Sequence, residues 1–144
     1  MADARTEAVK LLGKTFSKGG YSNILLDKTL EKSALDEADK KLCAALYYGV
    51  LERKITLDYI ISCYCKQGIS RLNPEVQNIL RTGIYQIKYM NSVPAYAAVN
   101  ETVNMAKVFA RGRQGFINGV LRGFLKKQEE IALPSKEEEP ISYY

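Results

Sequence analysis

Apolar residues return every three or four positions along almost the whole chain, and stretches that alternate apolar with polar residues are nearly missing. The sequence can therefore bury its apolar surface only by packing helices. Val9, Leu12 and Phe16 mark a first helix, with Lys10, Lys14 and Lys18 as a separate stripe, and Gly19-Gly20 is expected to end it. Ser22 or Asn23 is placed to cap a second helix that buries Leu25, Leu26 and Leu30 and runs to about Ser33. Asp36 opens a third, from Glu37 to about Lys54, along Leu42, Leu46 and Val50. A break near Ile55 and a fresh cap at Thr56 predict a separate fourth helix with Leu57, Ile60, Ile61 and Tyr64, stopped by Gly68.

Asn73-Pro74 predicts a helix start with proline at the first helical position, where its missing N–H costs nothing. Val76, Ile79, Leu80, Ile84 and Ile87 line one face of that helix, which should end near Met90. Pro94 is expected to open the next in the same way, with Ala95, Ala98, Val99, Thr102, Ala106 and Phe109 on its inner side. Gly112 divides it from a last helix, about Arg113 to Lys127, with Phe116, Ile117, Val120, Leu121, Phe124 and Leu125 on a broad apolar face. There Gly115, Gly119 and Gly123 recur every four residues, each costing about 1 kcal/mol relative to alanine. Close approach of another backbone is the expected compensation; a fraying helix is the alternative. Residues 128–144 combine an acidic run with two prolines and no period, the pattern of a linker or tail.

At 144 residues the chain is sized for one domain. Histidine is absent, which removes Ser-His-Asp and Cys-His catalysis and the commonest zinc ligand. Cys43, Cys63 and Cys65 form no Cys-x-x-Cys pair and read as free thiols of a reducing compartment. No Gly-rich phosphate loop or nucleophile elbow occurs, and the carboxylates Glu52, Asp58, Glu75 and Glu101 stand apart in sequence, as ion-pair or capping residues do. Neither a membrane-length apolar run nor a leader-like N-terminus is visible, so a cytoplasmic protein is expected.

Charge is the informative part of the composition. Residues 1–39 carry a net −1, residues 40–127 a net +10 and residues 128–144 a net −4. A basic folded middle suits a polyanionic partner, nucleic acid first among them. Three surfaces compete for it. On the helix from Pro74, Asn78, Arg81, Tyr85, Lys88 and Tyr89 share the face opposite the isoleucines, cations interleaved with rings that could stack on unpaired bases. The alternative is that this helix is central, with the tyrosines in a second core and Arg81 in an ion pair. On the last helix Gln114, Asn118, Arg122 and Lys126 form a polar ridge, joined at its start by Arg111-Gly112-Arg113, where two guanidiniums could clasp a phosphate. Arg5 and Lys10 on the first helix complete the candidates, with plain solvation as their alternative.

Four stretches, ALYYGVLERKITLDY (Ala45 to Tyr59), LRTGIYQIKYM (Leu80 to Met90), VPAYAAVNETV (Val93 to Val103) and FINGVLR (Phe116 to Arg122), resemble in order the NusB-like N-terminal domain of the RsmB (Sun/Fmu) family of 16S rRNA cytosine-5 methyltransferases. A weaker resemblance is to free-standing NusB, the antitermination factor that binds boxA RNA. The resemblance implies an all-α, two-subdomain bundle of about seven helices over residues 1–127, and an acidic linker, 128–144, leading to a methyltransferase domain not in this sequence. It places the S-adenosylmethionine site and the catalytic cysteines in that domain, and no cofactor or catalytic residue in this chain. From NusB it points to Arg5 and Arg122 as RNA contacts.

Together these observations describe a non-catalytic domain that binds ribosomal RNA and positions it for an appended methyltransferase domain, with no membrane partner. The alternatives are a protein-docking module without RNA contact and a stand-alone antitermination factor.

Overall fold

The computed structural model describes residues 3–18 and 23–132, which form α1 (Ala4–Ser17), α2 (Asn23–Lys32), α3 (Glu37–Ser62), α4 (Pro74–Tyr89), α5 (Ala95–Phe109) and α6 (Gln114–Ala132). A single 3-10 turn, Ile69–Arg71, precedes α4. The described residues contain no strand, so the architecture is all-α as expected. Asp3 and Asp36 cap α1 and α3 with their carboxylates, accepting from the amides of Thr6 at 2.8 Å and Asp39 at 2.9 Å. Pro74 begins α4 at its first turn, whereas Pro94 lies one step outside α5, at the cap. The expected stop at Gly19-Gly20 and cap at Ser22 lie outside the described residues, as does the side chain of Asn23.

The separate helix expected from Thr56 does not form. Helical structure runs from Glu37 to Ser62 and bends at Arg53, whose φ of −110° and ψ of 15° leave the helical range. The described residues therefore form six α-helices where about seven were expected, the third and fourth being one bent helix. The last helix also runs past the expected end at Lys127, through Ala132.

The core is continuous through both halves of the chain. Leu11 and Leu12 of α1, Leu46, Tyr47, Leu57 and Ile61 of α3, Ile79, Leu80 and Ile84 of α4, and Ile117 and Leu121 of α6 are fully buried, each contributing roughly 1.5–3 kcal/mol. The Tyr47 and Thr15 hydroxyls satisfy each other inside this core at 2.6 Å, tying α3 to α1. α4 is the central element, packed against α1, α3, α5 and α6.

Close helix approach occurs where two other glycines lie. Gly49 sits directly beneath the ring of Tyr85, and a methyl at Gly83 would lie 2.8 Å from Leu121 and 3.2 Å from Thr102. The stripe on α6 does not serve this purpose: Gly115 and Gly119 face open space, and only Gly123 meets a neighbour, the Tyr64 ring, at 3.3 Å from where a Cβ would stand.

Candidate nucleic-acid interface

The face of α4 that carries Arg81 and Tyr85 turns inward, because the central position of this helix leaves it two buried sides. Arg81 is 4% exposed. Its Nε donates to Asp58 Oδ1 at 2.7 Å and Nη2 to Oδ2 at 3.1 Å, a bidentate pair between α4 and α3. Nη1 donates to Asn78 Oδ1 at 2.8 Å, and the guanidinium lies 5.0 Å over the Phe16 ring. Tyr85 is half-buried over Gly49 and leans on Tyr89, with ring centroids 5.3 Å apart; Arg53 covers Tyr89 at 4.4 Å. This corrects the expectation of an RNA-facing surface there: Arg81 and Tyr85 hold helices together. Lys88 alone of that set reaches the surface, near Lys126 and Lys127 in an apolar-floored groove with Tyr64 and Phe124.

The polar ridge of α6, by contrast, is on the surface and meets a second row the sequence reading missed. Asn100, Asn104 and Lys107 of α5 face Gln114, Asn118 and Arg122 of α6 across a groove of about 460 Å3, floored by Val103 and Gly115. The bare Cα of Gly115 keeps the groove open. Arg122 Nε donates to Asn118 Oδ1 at 2.8 Å, and Nη2 to Asn100 Oδ1 at 3.4 Å, so two amides orient the guanidinium while three of its N–H groups stay unused. No carboxylate lines the groove. The missed signal was the spacing 100, 104, 107, 111, which puts three polar residues in line with Arg111.

Arg111 and Arg113 are exposed on the turn that leads into this groove. Gly112 adopts φ 86°, open to glycine at no steric cost, and donates its N–H to Gln114 Oε1 at 2.7 Å, which fixes the turn. Among the described residues neither guanidinium has an acidic partner. The turn thus adds two uncompensated cations beside Lys107 and Arg122.

Arg5 and Lys10 are set apart from each other. Arg5 is half-buried; its Nε donates to Gln86 Oε1 at 2.8 Å, and Gln86 Nε2 in turn donates to Thr82 O and Thr102 Oγ1. Lys10 is exposed, 3.7 Å from Glu7, and with Lys14 borders a different groove that Phe109 and Pro74 help to line. Phe109 is two residues before Arg111, so this groove and the α5–α6 turn adjoin. The thiols do no visible work at either place: Cys43 is buried and its pKa is pushed up to about 12 by that burial and by the nearby Glu7 carboxylate, Cys65 is raised by burial, and no metal-ligating cluster occurs among the described residues.

An all-α bundle with a basic, amide-lined groove beside a two-arginine turn invites comparison with known proteins. The NusB family model matches residues 2–126. The chain belongs to the NusB family. A probable ribosomal RNA small subunit methyltransferase B from Synechocystis sp. is 35% identical over 133 residues, 90% of this chain but only 29% of that protein. The transcription antitermination protein NusB of Methylacidiphilum infernorum is 35% identical over 109 residues, 74% of this chain and 76% of that one. In structure, the chain is similar to a crystal structure of antitermination factors NusB and NusE in complex with double-stranded RNA, with a TM-score of 0.76 and 24% identity, covering 86% of this chain and 94% of that one. At that identity the likeness establishes the NusB fold. The chain spans less than a third of the length of the methyltransferases it matches. No helix among the described residues is long and apolar enough to cross a membrane.

Proposed function

We propose that this NusB-family domain binds RNA through the α5–α6 groove and its turn, and that it positions ribosomal RNA for an S-adenosylmethionine-dependent cytosine-5 methyltransferase domain joined to it in a cytoplasmic enzyme. The observation that carries the reading is the pair Arg111 and Arg113, exposed and without acidic partners among the described residues, at the mouth of a groove whose only charged linings are Lys107 and Arg122. Guanidiniums take phosphate oxygens in bidentate fashion, and amides add neutral contacts to sugar and base edges. Arg5 and Lys10 extend the basic surface on α1. The ribosomal RNA methyltransferases of which this chain spans less than a third support the larger assignment, as does the RNA in the solved neighbour. In this reading S-adenosylmethionine is held by the joined catalytic domain, and this domain contributes affinity and orientation.

The test is titration of the chain with a ribosomal RNA hairpin over a range of salt. Phosphate neutralisation requires affinity to fall steeply as salt rises, by a slope near −0.9 per phosphate contacted. The triple variant Arg111→Ala/Arg113→Ala/Arg122→Ala should flatten that slope by roughly 2–3 while leaving thermal stability unchanged. Binding that survives the triple substitution moves the RNA to another face. A wild-type chain that binds no RNA at low salt removes the proposal in favour of protein docking.

A further inference from the structure

The outer row of α5 does not begin at Asn100. Four residues earlier, about 6 Å along the axis, Tyr96 occupies the same face. It is 68% exposed, and among the described residues its ring meets no other ring or cation and its hydroxyl has no hydrogen-bond partner. Other tyrosines are engaged: Tyr85 leans on Tyr89, and Tyr48 meets Tyr47 edge-on at 5.7 Å. Tyr59 is as exposed as Tyr96 but stands on α3, which contributes nothing to the groove. A lone exposed ring is unremarkable in itself. What distinguishes Tyr96 is its place one turn before Asn100, the residue that accepts from Arg122 Nη2.

We propose that Tyr96 is a stacking platform for an unpaired RNA base, set beside Arg122, which holds the adjoining phosphate; this rests on the RNA-binding reading above. The groove supplies cations and amides but no aromatic side chain, so by itself it can neutralise a backbone without telling a single strand from a duplex. A free ring at its end adds that discrimination. Bases in a duplex are already stacked on one another, whereas an unstacked base gains a π-face at Tyr96. The two amide contacts on Arg122 fix the guanidinium before RNA arrives, which limits the ordering cost of binding at this end of the groove.

The experiment compares an unstructured 12-nucleotide RNA with an RNA duplex of equal length, by fluorescence anisotropy with the whole chain. Tyr96→Ala should weaken single-strand binding roughly tenfold, leave duplex binding within twofold and leave the salt slope unaltered. Tyr96→Phe, which keeps the π-face, should bind the single strand within twofold of wild type. The chain has no tryptophan, so Tyr96→Trp introduces a single indole whose emission, excited at long wavelength where tyrosine does not absorb, should be quenched at saturating single strand and not at saturating duplex. Equal losses on both RNAs, a loss in Tyr96→Phe matching that in Tyr96→Ala, or an unquenched Tyr96→Trp overturns the stacking role. If Arg122→Ala loses affinity while Tyr96→Ala does not, the stacking role falls and the groove stands. If the wild-type chain binds neither RNA, both fall.

Discussion

Replacing Asp58 with alanine should strand Arg81 in the interior. In the folded chain Arg81 is 5% exposed at its side chain and Asp58 20%, so the pair is closed to water on the arginine side and partly open on the aspartate side. Removing one member of a fully buried pair costs about 3–5 kcal/mol, most of it the penalty of an uncompensated charge. The oxygens of Asn78, at 2.8 Å, and Gln77, at 3.3 Å, still receive two of the guanidinium's N–H groups, and the partial exposure of Asp58 lowers the loss further. About 3 kcal/mol is therefore expected for Asp58→Ala, a fall in Tm of roughly 10 °C for a chain of this size. Arg81→Met should cost less, about 1–2 kcal/mol, because Asp58 keeps Lys54 at 3.1 Å and can draw on solvent while methionine fills the space. The double variant should be less destabilised than the two single losses added together. Urea unfolding of the four proteins measures this cycle, and anisotropy on the hairpin should show Arg81→Met binding RNA within twofold of wild type. If Asp58→Ala unfolds within 0.5 kcal/mol of wild type, or Arg81→Met binds RNA tenfold more weakly, then Arg81 works at the surface and the placement of α4 as the central strut is wrong.

Gly49→Ala should destabilise by about 2 kcal/mol or more, since the methyl would enter the ring of Tyr85, and pairing it with Tyr85→Ala should recover part of the loss beyond additivity in denaturant melts. Gly119→Ala should do the reverse, raising stability by about 0.5–1 kcal/mol in a thermal melt, because its Cβ would meet nothing within 4 Å and alanine is the better helix former. Cys43 titrates near 12 in the native protein and near 9.0 when unfolded, so above pH 9 the unfolded chain has fewer protons bound and stability must fall as pH rises towards 12. Urea midpoints at pH 8 and 10 should reflect a loss of about 1 kcal/mol that Cys43→Ala removes. A thiol reagent at pH 8 should modify exposed Cys63 in the native state and Cys43 only after unfolding.

Elements whose positions depend on local chemistry were legible in the sequence: Asp36 and Pro74 mark their helices because a cap and a first-turn proline act within one turn. The bend in α3 was visible as a break near Ile55, but periodicity alone could not show that the helix continues across Arg53. The groove was half visible. Its α6 wall, Gln114, Asn118 and Arg122, stands out as an i, i+4 ridge, while Asn100, Asn104 and Lys107 lie on a helix whose pattern is dominated by its apolar side. Arg81 shows the deeper limit. Its stripe on α4 has the polar, aromatic make-up of an outward face, and the residue that draws it inward, Asp58, lies 23 positions away with nothing local to connect them. The glycines mislead for the same reason: three on α6 form a pattern and two of those leave open room for a Cβ, whereas Gly49 and Gly83, which stand alone, mark the tightest crossings.

α6 is one unbroken helix of 19 residues, about 28 Å long, and the groove occupies only its first half. Its far end is therefore mechanically coupled to whatever grips Asn118 and Arg122. A rod held at one end transmits rotation to the other with little loss, so RNA seated against Arg122, as proposed, would set an angle at Ala132, and any body fastened there would be aimed by the cargo.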